Sequence, residues 1–389
     1  MQWGGVGLGI AGVGFALVIL ASPGCGRSPS GYGSDVRYPL RTDPLVIRTP
    51  LLPPTGVAAP GRLDESIAAI ASNGGTTLDP KTLPPERQTE LTAGLVELFG
   101  SPASPTVEGY EKTGLDLSPS RLEQGSKVYN SLNCNQCHGL TGDGRGPTGP
   151  WVYPYPRDFR TGHFKASKGP SPKPTFDALT TLLRRGVPGS SMQPYDLISD
   201  DDVRDATAYT IHLSIRGEVE FRLLKELLDE GDPGDDLAKE CRSKLARVLD
   251  EWRKAQLPHV NPVPAIADGD PNDEAYREQI RRGYRLFENH DGAGCSSCHQ
   301  NFGRTEHYQW DVWGTPVRPS NLTVAEYRWG KQPSEIAAHI RFGILAANMP
   351  AHPYLSDAKL EALTAFVREL PFPARLPPDV RSQVYPPAR

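Results

Sequence analysis

The stretch Cys134-Asn135-Gln136-Cys137-His138 decides how the rest of the sequence is interpreted. Two cysteines three residues apart lie on the same face of a helical turn, and a histidine follows directly. This C-x-x-C-H pattern is typical of a c-type haem attachment site, in which both sulfurs form thioethers with one porphyrin. It predicts that Cys134 and Cys137 hold a haem and that His138 is the proximal ligand of the iron.

The pattern occurs a second time, as Cys295-Ser296-Ser297-Cys298-His299. A single C-x-x-C is also typical of a redox dithiol or of half a zinc site. A histidine next to both copies favours haem over these alternatives. The sequence therefore predicts two covalently bound haem c groups, the second one on Cys295 and Cys298 with His299 as proximal ligand.

The composition suits small, loop-rich units. The chain has 389 residues, a net charge of -4, and 39 residues each of glycine and proline. The charge is too small to imply a nucleic-acid partner. Proline well above its ordinary usage favours units in which a haem, instead of a large apolar core, supplies the packing.

The N-terminus carries a targeting or anchoring signal. Residues 4–21 form an uncharged, almost unbroken apolar run that ends at Ser22-Pro23-Gly24-Cys25. Residues 1–25 are consistent with a lipoprotein signal lipidated at Cys25, an uncleaved membrane anchor or a cleaved secretory signal. Each alternative places the protein on the periplasmic side of a bacterial membrane, and the first two attach it there.

The second half of the chain repeats the first. The matched positions, at identical spacings, are Gly186, Met192, Ser199 and Tyr209 in the first copy and Gly343, Met349, Ser356 and Phe366 in the second. Such self-similarity indicates a duplicated unit. The chain has three methionines, one of them Met1. The paired placement of Met192 and Met349 favours them as sixth iron ligands over a role as core filler.

The remaining segments give the predicted organisation. Residues 26–105, rich in proline, are expected to form a tether that lies on a surface and has one short helix at 84–99. Two amphipathic helices, at about 218–230 and 235–256, form a helical hairpin spacer. The predicted parts are 1–25 signal or anchor, 26–105 tether, 106–216 first haem domain, 217–268 spacer, 269–375 second haem domain and 376–389 tail.

Other candidate site residues have two interpretations each. Cys241 lies on the apolar stripe of a spacer helix, which favours a buried structural cysteine over a thiolate haem ligand of the kind some dihaem enzymes use. Four arginines suit haem propionates or a solvated surface equally well. They are Arg157, Arg184, Arg318 and Arg341.

Each half resembles a class I cytochrome c domain, over about 118–214 and 272–371. The features that match are an N-terminal helix with a glycine and an aromatic residue, C-x-x-C-H, a methionine loop and a C-terminal helix with an aromatic residue. The helix residues are Gly125, Tyr129 and Tyr209 in the first half and Gly283, Phe287 and Phe366 in the second. The resemblance implies an all-α fold of two tandem haem domains and one-electron transfer.

In that family a proline carbonyl after the haem motif accepts a hydrogen bond from the proximal histidine. The resemblance therefore implies Pro147 or Pro150 as this residue for the first haem. The second half lacks the Gly-Pro pattern after its motif and offers Pro316.

The expected function is that of a dihaem electron carrier, not an enzyme, which passes single electrons between redox partner proteins of a membrane-associated respiratory chain. Both haems are expected to have histidine and methionine ligands. Two alternatives remain open. One is a dihaem oxidoreductase of the peroxidase or thiosulfate dehydrogenase type, and the other is a cytochrome c subunit of a larger oxidase or quinol-oxidising complex.

Overall fold

The structure, a computed structural model, describes Met1 and residues 31–54, 56–165, 171–231, 236–258, 263–288, 293–328 and 330–387. In these ranges the helices are α1 (Leu63–Ser72), α2 (Pro85–Phe99), α3 (Pro119–Ser131), α4 (Cys134–His138), α5 (Phe176–Arg185), α6 (Asp200–Lys225), α7 (Leu237–Ala255), α8 (Glu274–Glu288), α9 (Pro333–Phe342), α10 (Asp357–Glu369) and α11 (Pro378–Val384). Short antiparallel pairs join β1 (Leu45–Arg48) to β2 (Thr76–Leu78), β3 (Gly100–Ser101) to β4 (Ser104–Pro105) and β5 (Gln309–Trp310) to β6 (Pro316–Val317).

The N-terminal apolar run and Cys25 lie outside the described ranges. No helix within those ranges combines the length and the apolar character that crossing a membrane requires.

Two equivalent helix crossings organise the fold, one in each half. In the first, α3 crosses α6, and a Cβ on Gly125 would lie 2.1 Å from the carbonyl oxygen of Asp205. In the second, α8 crosses α10, and a Cβ on Gly283 would lie 2.0 Å from the carbonyl oxygen of Ala362. Only glycine permits so close an approach of two backbones.

An aromatic pair packs at each crossing, one helical turn beyond the glycine. Tyr129 meets Tyr209 edge to face, with ring centroids 5.3 Å apart, and Phe287 meets Phe366 in the same way at 5.4 Å. All four side chains are buried. The predicted all-α fold with a duplicated cytochrome c-like unit is therefore confirmed.

The segment predicted as a surface tether contributes to the core of the first unit. It has two helices instead of one: α2 matches the predicted helix, and α1 was not predicted. Tyr38, Leu45 and Leu91 are buried among residues of α6 and α7. The segment also reaches the second unit, because Ile70 of α1 packs against Trp310.

The predicted spacer differs in its first arm. Helix α6 continues without a break from the first unit through Gly217 to Lys225, and a π-helical turn extends it over Glu226–Glu230. Gly217 does not end the helix. It lies under Arg160, whose Cα would be 2.6 Å from a Cβ at this position, so the glycine serves close packing.

The second arm, α7, lies against α6 and α2 and is part of the first core.

The C-terminal segment after residue 375, predicted as a tail, forms α11. Leu376, Val380 and Val384 are buried in the second core.

We expect Gly283→Ala to lower the free energy of unfolding by about 1–3 kcal/mol or more, because the added methyl group overlaps the backbone of α10. An ordinary helix position would instead gain stability from alanine. Arg282→Ala, on the exposed side of the same helix, is the control. Denaturant unfolding measures both, and a Gly283→Ala protein as stable as the wild type would contradict this packing.

Candidate haem-binding site

All eight predicted haem residues line a single cavity of about 920 Å³. They are Cys134, Cys137, His138 and Met192 from the first unit and Cys295, Cys298, His299 and Met349 from the second. Apolar side chains of both units, such as Leu179 and Ile340, complete the wall. The two sites predicted from separate motifs are thus parts of one space between the units.

The two C-x-x-C-H motifs begin in the same way. Each follows a residue in the left-handed conformation, Asn133 with φ 60° in the first unit and Gly294 with φ 61° in the second. Asparagine and glycine are the residues that adopt this conformation most readily. A short helical turn then carries the cysteines, whose thiols form no disulfide.

The proximal histidines are held by backbone carbonyls, but not those of the predicted prolines. Nδ1 of His138 lies 3.1 Å from the carbonyl oxygen of Arg157, and Nδ1 of His299 lies 3.2 Å from that of Ser320. The predictions of Pro147 or Pro150 for the first site and Pro316 for the second are therefore wrong. The acceptor is in each case the residue after a proline, Pro156 or Pro319.

Burial keeps both imidazoles neutral. It lowers the pKa of His138 to about 4 and also lowers the pKa of His299. With the Nδ1 proton donated to a carbonyl, the lone pair of Nε2 is available to a metal. The ring of Phe159 also stacks on His138, with centroids 4.7 Å apart.

The methionine loops have the same construction in both units. Gly186 (φ 66°) and Gly343 (φ 72°) end α5 and α9, and a Cβ on either would lie within 2.6 Å of the carbonyl oxygen of the loop methionine. The next residue donates its N–H to that carbonyl, at 2.9 Å for Met192 and 3.0 Å for Met349. The glycine-to-methionine spacing seen in the sequence is therefore the closure of a tight loop.

The four candidate arginines fall into two pairs. Arg157 and Arg318 line the cavity, where guanidinium groups suit the propionates of a haem. Arg184 and Arg341 do not line it. They pair with Asp200 at the start of α6 and Asp357 at the start of α10, and so tie the two ends of each methionine loop together.

Cys241 is a buried structural residue. It packs in the core of the first unit against Gly94 of α2, where a Cβ would lie 2.9 Å from its sulfur. Burial raises the pKa of its thiol to about 11, and it does not line the cavity.

A buried ionic network fixes the backbone near the first proximal histidine. Nη1 and Nη2 of Arg160 each lie 2.9 Å from a carboxylate oxygen of Asp43. Nη2 also lies 2.8 Å from a carboxylate oxygen of Asp158. Burial alone would raise the pKa of Asp43, but Arg160 and Arg41 hold it well below its ordinary range. Asp43 belongs to the N-terminal segment, which therefore supports the haem site.

The residues present fit haem c. Paired thiols, a neutral imidazole, a thioether and guanidinium groups line a mainly apolar space in each unit. When bound, the haem supplies an iron that accepts and releases one electron. The protein holds the histidine ring and closes the methionine loop.

Two comparisons with known proteins found matches. The family described as cytochrome C oxidase, cbb3-type, subunit III matches twice, over residues 120–209 and 278–367. A chain of the reducing HAO-like protein complex of Kuenenia stuttgartiensis is similar at 23% identity, with 64% of this chain and 96% of that chain covered and a TM-score of 0.47. No curated protein gave a significant match.

The fold, the motifs and the family matches define the chain as a c-type cytochrome. More particularly, it is built from two class I cytochrome c-like domains in tandem, as the sequence predicted. Domains of this class carry covalently bound haem c and transfer electrons.

We expect Asp43→Asn to lower the free energy of unfolding by about 3 kcal/mol at pH 7, because it leaves the buried Arg160 with one carboxylate instead of two. The depressed pKa of Asp43 means that the wild-type protein has this stabilisation above about pH 4 and loses it as the pH falls. The difference between the two proteins should therefore shrink below pH 4.

Denaturant unfolding at pH 7 and at about pH 2 to 3 measures this effect. Asp64→Asn, which removes an exposed ion pair with Arg145, is the matched control and should cost less than about 1 kcal/mol. A difference between Asp43→Asn and the wild type that does not change with pH would contradict the ionic role of Asp43.

Proposed function

We propose that the protein carries two haem c groups and passes single electrons between redox partner proteins of a membrane-associated respiratory chain. The observation that carries the proposal is the single cavity lined by both C-x-x-C-H motifs. Two haems within one cavity can exchange electrons without a protein layer between them. An electron accepted by the haem of one domain could then pass to the haem of the other and from there to a partner protein.

A carrier is favoured over an enzyme because the two iron sites are built alike. Each has a histidine that is hydrogen-bonded to a backbone carbonyl. Each also has a methionine in a tight loop that begins at a glycine. An enzyme of the peroxidase type needs one iron with an open position. Equivalent methionine loops in both units support six-coordinate iron at both, which suits electron transfer.

The proposed location is the periplasmic side of a bacterial membrane. It is supported by the N-terminal apolar run and by the need to attach c-type haems outside the cytoplasm. Attachment would use this run or a lipid on Cys25. The proposed partners are redox proteins at the membrane.

We expect the wild-type chain to carry two haems and Cys134→Ala/Cys137→Ala to carry one, because each motif attaches its own porphyrin. Intact mass under denaturing conditions gives the number of covalent haems. Cys241→Ala is the matched control and should retain both. A wild-type chain with one haem, or none, would overturn the proposal.

We expect Met192→Ala and Met349→Ala each to remove about half of the weak far-red methionine-to-iron absorption of the oxidised protein, because each replaces one of two thioether ligands. Leu345→Ala, an exposed residue of the second loop, is the control and should retain the band. The ratio of this band to total haem is the measurement.

The same spectra decide between carrier and enzyme. A wild-type haem that lacks the methionine band and binds cyanide or peroxide readily would favour the enzyme. Two methionine-ligated haems that bind neither would favour the carrier.

A further inference from the structure

We infer that the β5–β6 turn of the second unit positions the proximal histidine of the first, with Asp311 as the anchoring residue. The inference rests on the proposed two-haem function. It makes the environment of the first iron depend on a residue in the other domain.

The first step is the backbone that holds His138. Nδ1 of its ring donates a hydrogen bond to the carbonyl of Arg157, and Phe159 stacks on the ring. Residues 156–160 therefore set both the orientation of the imidazole and the strength of its hydrogen bond. This segment contains no helix or strand to hold it.

The second step is the contact of this segment with the second unit. The guanidinium of Arg157 lies 3.6 Å from the ring centroid of Trp313 and 3.4 Å from a carboxylate oxygen of Asp311. The indole N–H of Trp313 donates to the carbonyl of Asp158 at 2.7 Å. The β5–β6 turn of the second unit thus holds Arg157, whose carbonyl accepts the hydrogen bond from His138, and its neighbour Asp158.

The third step is the rigidity of the anchor. Asp311 is buried, and one of its oxygens accepts the N–H groups of Trp313 at 3.1 Å and Thr315 at 3.0 Å. The other accepts the Thr315 hydroxyl at 2.8 Å and the ammonium of Lys165 at 3.2 Å. The carboxylate cannot move without breaking these bonds and leaving buried cations unpaired.

A change in the contact between the β5–β6 turn and residues 156–160 alters the reduction potential of the first iron through His138. The hydrogen bond from Nδ1 to a carbonyl makes the imidazole a better electron donor, which stabilises ferric iron. A loosened acceptor segment weakens that bond and favours ferrous iron. Loss of the negative charge of Asp311 acts in the same direction, so a neutral change at Trp313 is needed to separate the two effects.

The test is a spectroscopic redox titration of the holoprotein with Asp311→Asn and Trp313→Phe. Phenylalanine keeps an aromatic ring at this position without a charge change and cannot donate a hydrogen bond to the carbonyl of Asp158. The potential of the first haem is identified as the one missing from Cys134→Ala/Cys137→Ala. We expect both variants to raise the potential of the first haem and leave that of the second near the wild-type value.

Asp379→Asn is the matched control, because it removes the same charge from an exposed residue of the second unit. An unchanged potential of the first haem in Trp313→Phe, an equal shift of both haems, or the same shift in Asp379→Asn would overturn the inference. If Asp311→Asn does not fold, Trp313→Phe decides alone. A wild-type protein without haem on the first motif would instead overturn the proposed function.

Discussion

The haem site depends on the hydrogen bond between His138 and the carbonyl of Arg157. The residues around this bond come from three parts of the chain: the first cytochrome c-like unit, the N-terminal segment through Asp43 and the second unit through Trp313. A short, irregular stretch of backbone can hold a ligand firmly only when its neighbours hold it in turn. The N-terminal segment and the tight contact of the two units supply that support.

The duplicated units share their helix crossings and methionine loops but differ in what surrounds them. The first has a core extended by α2, by the continuation of α6 and by α7, and the second is closed by α11. His299 has an acceptor equivalent to that of His138 in Ser320, yet no stacked aromatic ring corresponding to Phe159 among its described contacts. Two irons with different surroundings would have different potentials, which gives electrons a preferred direction.

The features predicted from the sequence are those set by local chemistry and repetition. The motifs identify cysteines and histidines that line the cavity, and the repeat pairs Met192 with Met349, which line it too. The proline carbonyls were misplaced because the acceptor is a backbone atom, and a backbone atom has no signature in the sequence. The repeat nevertheless aligns Pro156 with Pro319, the residues just before the two acceptors.

Segments with long-range contacts were harder to predict. Proline-rich residues 26–105 look like a tether because they show no sustained hydrophobic period. Their packing depends on distant partners, such as Tyr209 of α6, which hydrogen-bonds to Tyr38 from 171 residues away. The spacer was predicted to begin at residue 217, with a separate helix from about 218, but α6 runs through Gly217, which packs under Arg160 of another segment. In both cases the tertiary contact, not local propensity, decides the structure.

The most direct test of the central claim is time-resolved reduction of the holoprotein with a fast one-electron donor at substoichiometric amounts. The account predicts that the electron then redistributes between the two haems at a rate independent of protein concentration, because both lie in one cavity. Redistribution that occurs only by collision between molecules, and therefore accelerates with protein concentration, would contradict it.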